Sequence, residues 1–191
     1  VVGTTNVNMG TLMVTEIMLP AAAVVAILNT PQTAVDLTWM APGTGGGEWI
    51  EWDSGISSDG IGTGGVADFD IASRWPVADL TDFVGMSLYS VKFGPYQATA
   101  SFSIRVWVGG SLGVPGTMVV DQIVTNPTIA AWNTVELTTP VPIAAGQELW
   151  FGVRVNATAG YCAGCDAGPS HNGLGNLMYY QGAWTTLLDL A

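Results

Sequence analysis

The chain is ruled by a two-residue alternation broken by glycine and proline, and that pattern constrains its fold more than any other feature. Leu149, Phe151, Val153 and Val155 alternate with Trp150, Gly152 and Arg154. Phe102, Ile104, Val106 and Val108 do the same against Ser103, Arg105 and Trp107, and Phe69, Ile71 and Ser73 against Asp70, Ala72 and Arg74. Side chains on a strand point to opposite faces with period two, so each run reads as a strand with one apolar face. Further strands are expected over Leu88–Phe93, Met118–Val120 and Val135–Leu137, with one helical turn over Pro76–Phe83. Short strands at this spacing, with turn residues between them, predict an all-β fold, an antiparallel β-sandwich of the jelly-roll kind with an N-terminal extension strand.

Three segments are expected. Residues 1–19 hold an apolar strand, Thr11–Leu19, ended by Pro20 and greasy on both faces: Met13, Ile17 and Leu19 on one, Leu12, Val14 and Met18 on the other. Residues 20–47 hold two lead-in strands, Val24–Leu28 and Ala34–Trp39, then the link Gly43-Thr44-Gly45-Gly46-Gly47. Residues 48–191 form the sandwich. The start lacks the basic region of an intact secretory signal peptide.

Charge excludes several partners. The chain has 191 residues, with 4 Lys or Arg against 15 Asp or Glu, a formal charge of −11. Nucleic acid is held through rows of cations, which are missing here, and a basic membrane-surface helix is excluded likewise. No apolar run reaches the roughly 18 residues of a membrane span. Charged residues make up only 10% of the chain, so its surface is unusually poor in solvating groups.

Several residues are candidates for chemistry. Cys162 and Cys165 form a CxxC in a glycine-rich loop, which suits a local disulfide or two inert thiols better than thiol exchange or half a zinc site. Asp53, Asp59, Asp68, Asp70 and Asp166 lie in or beside loops, and Asp53, Asp68, Asp70 and Asp166 are the candidate ligands of a structural calcium, against a reading as solvated turn carboxylates. Asn156-Ala157-Thr158 is a legal sequon, making Asn156 a candidate for N-glycosylation. The single histidine, His171, follows Ser170 directly, a spacing that builds no triad, so no catalytic residue is assigned. Eight tryptophans invite sugar stacking. The loop-side candidates are Trp49, Trp52, Trp75, Tyr161, Tyr179, Tyr180 and Trp184, whereas Trp39, Trp107, Trp132 and Trp150 fall in strand patterns where packing is the expectation.

Two resemblances add to this reading. Val35, Leu37 and Trp39 before Pro42 resemble the opening strands of a fibronectin type III module. A longer series, over roughly residues 34–188, includes Trp52-Asp53, Ile61-Gly62 through Asp68-Phe69-Asp70, Arg74-Trp75-Pro76, Ile104-Arg105-Val106-Trp107, Pro115-Gly116-Thr117, Trp132-Asn133, Pro140-Val141-Pro142-Ile143, Glu148-Leu149-Trp150-Phe151-Gly152 and Gly164-Cys165-Asp166. It resembles a jelly-roll module repeated in large secreted bacterial surface proteins, in the neighbourhood of cleaved-adhesin domains. The resemblance implies an extracellular or cell-surface, non-catalytic sandwich used for adhesion or binding. Such modules run on past Trp184-Thr185-Thr186 into a final strand, and Cys162 stands where they commonly have proline.

The leading expectation is therefore a structural or adhesive subunit that associates with copies of itself or with neighbouring surface-protein domains. A sandwich short of one strand exposes an edge and a groove, and the Thr11–Leu19 strand of a neighbour would fill it and build filaments. The alternative is a carbohydrate-binding or adhesin module of a larger secreted protein, with glycans as partners.

Overall fold

The computed structural model describes residues 2–8, 25–28, 34–40, 49–55 and 57–190, the first three stretches as strands only. The chain divides into two units, Val1–Ile50 and Glu51–Ala191. All sheets are antiparallel, and the protein is all-β.

The first unit contains β1 (Val2–Asn8), β2 (Val25–Leu28) and β3 (Ala34–Met40), in the order β1-β3-β2. Val35 on the central strand stands opposite Val7 on one side and Leu28 on the other. The two lead-in strands lie where alternation puts them. The strand Val2–Asn8 is an addition: with its Thr and Asn residues it carries too few apolar side chains to announce itself. The expected Thr11–Leu19 strand, with Leu12, Met13, Val14, Ile17, Met18 and Leu19, falls outside the described residues.

The second unit contains β4 (Asp59–Ile61), β5 (Ala67–Trp75), β6 (Ser87–Phe93), β7 (Ala100–Ser111), β8 (Val114–Val124), β9 (Asn133–Pro142), β10 (Leu149–Ala157), β11 (Ala163–Cys165), β12 (Leu177–Tyr180) and β13 (Ala183–Thr186). Six of these form one sheet in the order β13-β12-β5-β10-β7-β8; β6 pairs with β9, and β4 with β11. The six strands read from alternation, β5 to β10, are all present. Those missed, β4, β11, β12 and β13, are three or four residues long and too short to show a period.

The inner face of the six-stranded sheet carries Phe69, Phe102, Ile104, Val106, Leu149, Val153 and Val155, all buried. It packs on Val91 and Phe93 of β6 and Leu137 and Val141 of β9, with the Phe93 and Phe102 rings 5.4 Å apart. Each such side chain contributes about 1.5–3 kcal/mol by leaving water. Pro76 fixes φ at −60° ahead of a 3₁₀ segment, Val77–Phe83, whose Leu80 is buried. Among the described residues no helix is long and apolar enough to cross a membrane.

Candidate binding face

Because β5, β7 and β10 send alternate side chains inward, their remaining side chains share the other, outer face of the sheet. Register orders that face into rows running across the strands. One row reads Arg74, Trp150, Trp107, Met118. The next is Thr186, Leu177, Ala72, Gly152, Arg105, Asp121. A third spans all six strands: Trp184, Tyr179, Asp70, Arg154, Ser103, Ile123. The last is Asp68, Asn156, Ser101.

The first two rows are largely covered. Ala72, Trp107, Trp150 and Leu177 form a small buried cluster on this face, capped by the half-buried Trp184. Trp184 meets Trp107 and Trp150 edge-on, at 5.6 and 5.4 Å, and lies 5.6 Å from the Tyr179 ring. Edge-to-face geometry is what the ring quadrupoles prefer. The buried Trp150 indole donates to Glu148 Oε2, and Glu148 also receives Nε and Nη2 of Arg74. No side chain stands at Gly152, because a Cβ there would run into the Ile71 carbonyl and Ala72.

Charges hold the middle of the face. Arg105 Nη1 donates to both Asp70 oxygens at 3.0 Å, while its Nε and Nη2 donate to Asp121. Burial pushes the Asp70 carboxyl above its ordinary value, against the pull of Arg105. Burial opposes the Arg105 charge too, but the hydrogen bonds and proximity of Asp121 and Asp70 outweigh it and raise its pKa. Arg154 pairs with Asp68, and both side chains are more than a third exposed. Beside them Ser101, Phe102, Ser103, Ile123, Arg154 and Asn156 line an open hollow of about 320 Å³. All three arginines of the chain thus lie on this one face.

The expected glycan-facing aromatics do not converge as a set. Tyr179 and Trp184 come together on the outer face, with Tyr179 37% exposed. Trp75 is a correction: it is buried on the inner side opposite Leu149, stacked at 4.3 Å on Trp52. Trp52 donates its indole N–H to the Arg74 carbonyl and tilts against His171. Tyr180, half-buried, ends β12. Tyr161 is exposed elsewhere, beside the backbone of Gly60 and Gly62, with its N–H on Gln97 Oε1. Trp49 is exposed and belongs to the first unit. Trp132 is exposed rather than packed, and its indole donates to the Gly55 carbonyl.

The four aspartates expected around calcium are split between two places. Asp68 and Asp70 are engaged by Arg154 and Arg105. Asp166 accepts from the backbone N–H groups of Ser54 and Gly168, which hold its carboxyl below its ordinary value although burial works the other way. Asp53 accepts from Gly55 N–H. Among the described residues no group of three or more His, Cys, Asp or Glu side chains is placed to hold a metal ion. Asp59 opens β4, where it pairs with Cys165.

Of the two alternatives for the CxxC, the structure has the thiols free rather than joined. Cys162 is buried with its Sγ on the Ala159 carbonyl and beside Thr99 Oγ1. Cys165 is half-buried and ends β11, where burial and the nearby Asp59 and Asp166 push its thiol up. Asn156 is exposed near the end of β10.

Sequence reasoning missed the grouping of Arg74, Arg105 and Arg154. Their positions opposite the apolar alternation were visible; the register that gathers them was not. No family model, no curated protein and no solved structure matches this chain.

Proposed function

We propose that this chain is an extracellular, non-catalytic adhesive β-domain that binds carbohydrate on the outer face of its six-stranded sheet. The observation that carries the reading is the third cross-strand row, which sets the Trp184–Tyr179 pair in line with Arg154 and Ser103 beside an open hollow. Aromatic surface next to fixed donors and acceptors is the usual make-up of a small-molecule site. The Asp68, Asp70 and Asp121 carboxylates are engaged by guanidinium groups, which suits binding more than acid–base turnover. The test is an immobilised glycan panel probed with the wild-type chain and with Tyr179→Ala. Binding by the first and loss in the second supports the reading; a blank panel, or equal binding by both, rejects it.

Self-association is the second reading, favoured by β8. Among the described residues no strand pairs with its outer edge, and Val114, Met118, Val119 and Ile123 are exposed along it. Such an edge invites another chain. Negative-stain microscopy of the chain checks this: filaments favour strand donation, whereas single particles at high concentration leave the edge unused.

A further inference from the structure

Resting on the reading of the outer face as a glycan site, we infer that its ligand is an uncharged oligosaccharide laid across the strands. One ring stacks on the exposed Tyr179, at the side of Trp184, and the hydroxyl groups of a later ring reach Arg154, Asp68, Ser103 and Asn156.

Charge selects against acidic chains. The face and its rim carry three guanidinium groups against four carboxylates, those of Asp68, Asp70, Asp121 and Glu148, and every guanidinium already bonds a carboxylate. An anionic sugar would have to displace one of these partners within a chain of net charge −11. A neutral polyol meets no such barrier. The Arg154–Asp68 pair, more than a third exposed, offers it a donor and an acceptor side by side, while Arg105 is spent on Asp70 and Asp121. Gly152, with no side chain, keeps the neighbouring row low.

Length follows from the register. Tyr179 on β12 and Arg154 on β10 are separated by β5, and Ser103 lies one strand further. At about 4.8 Å per strand, Tyr179 and Ser103 stand roughly 14 Å apart, more than one sugar ring covers. The hollow lies at the far end of that path and is at the small end of ligand sites, about 300–1,000 Å³. Stacking and hydrogen bonding are thus at separate places, and only a chain of rings engages both.

The experiment is titration calorimetry of the full chain against hexasaccharides of β-1,4-glucan, β-1,3-glucan and α-mannan, the corresponding monosaccharides, and a hexagalacturonate. At least one neutral hexasaccharide should bind, its affinity unchanged by salt and its monosaccharide silent. Tyr179→Ala, at an exposed position, and Arg154→Gln, at a half-buried one, should each weaken it by about tenfold or more. Circular dichroism of each variant confirms the fold. Binding of the uronate alone, or of a monosaccharide as tightly as its hexamer, overturns the inference; if that binding is still lost in Tyr179→Ala, the face itself stands as the site. Silence from every sugar, or binding indifferent to both substitutions, overturns the inference and the reading of the face together.

Discussion

Asp70 and Asp121 share one arginine yet face opposite conditions. Asp70 is 5% exposed and the Asp121 side chain 41%. Removing one partner of a buried pair leaves a charge that water cannot reach, at a cost of about 3–5 kcal/mol, whereas an exposed pair is worth about 0–1 kcal/mol. Denaturant unfolding should therefore find Arg105→Met strongly destabilised at neutral pH and Asp121→Asn nearly neutral. The Arg105→Met loss should shrink in acid, because a protonated Asp70 no longer needs its partner. A pH-independent loss would show that packing, not charge, is at stake. The two perturbed aspartates also have opposite signs in pH. Asp70 is raised above 3.8, so the native chain holds that proton more tightly than the unfolded one, and its share of stability falls as pH rises through that interval. Asp166 is lowered from 3.8, so its share is full above that value and is lost as pH falls through its native pKa. Carboxyl carbon NMR should place the Asp70 midpoint above 3.8 and that of Asp166 below; the reverse order would contradict the assignment of burial and amide contacts as causes. None of this was legible beforehand. Aspartates in loops and aspartates beside an alternating strand look alike until register brings Arg105 and Arg154 to the second kind.

At the scale of elements, β8 shows how an exposed edge is managed. The Gln122 amide donates to the Glu136 carbonyl and accepts from Thr138 N–H on β9, taking the positions a neighbouring strand's peptide group would fill. Thr138 Oγ1 bonds the same oxygen. One side chain thus bridges the six-stranded sheet to the β6–β9 pair, where main-chain hydrogen bonds stop. Gln122→Ala removes these contacts and should cost about 1–2 kcal/mol in thermal or chemical unfolding; an unchanged melting temperature would mean that water replaces the amide without loss. A break in register between Val106 and Trp107 leaves Val119 as an extra residue on β8, and Pro115 stands near its start. Bulges and prolines are common means of blunting edges. The alternation of β7 and β10 was readable because branched and aromatic residues recur at every second position four times over, and that of β5 because Phe69 and Ile71 alternate with Asp70 and Ala72. That of β12 was not: Leu177-Met178-Tyr179-Tyr180 is apolar throughout, with Met178 buried on the inner side and Leu177 packed with Trp184 on the outer, while Tyr179 stays exposed. Trp107 and Trp150 were rightly expected to pack. Their packing on the outer face, rather than in the sandwich interior, could be known only from the neighbours that register supplies.

The whole molecule is sparing with charge, and where its few cations sit has a consequence for proteolysis. Trypsin-like proteases cut after lysine or arginine and need an extended, accessible backbone. This chain has four such residues, and each sits within a strand: Arg74 in β5, Lys92 in β6, Arg105 in β7 and Arg154 in β10. The loops and turns, where nicking normally begins, hold none. Tryptic cleavage should accordingly wait for unfolding of the sheet, and its rate should follow the open population set by stability. Native protein incubated with trypsin should remain intact, while Arg105→Met should be cut faster despite losing a cleavage site. Early fragments ending at Lys92 would instead point to β6 opening by itself. A domain displayed among digestive enzymes would be shielded by its arrangement of basic residues, with no disulfide required.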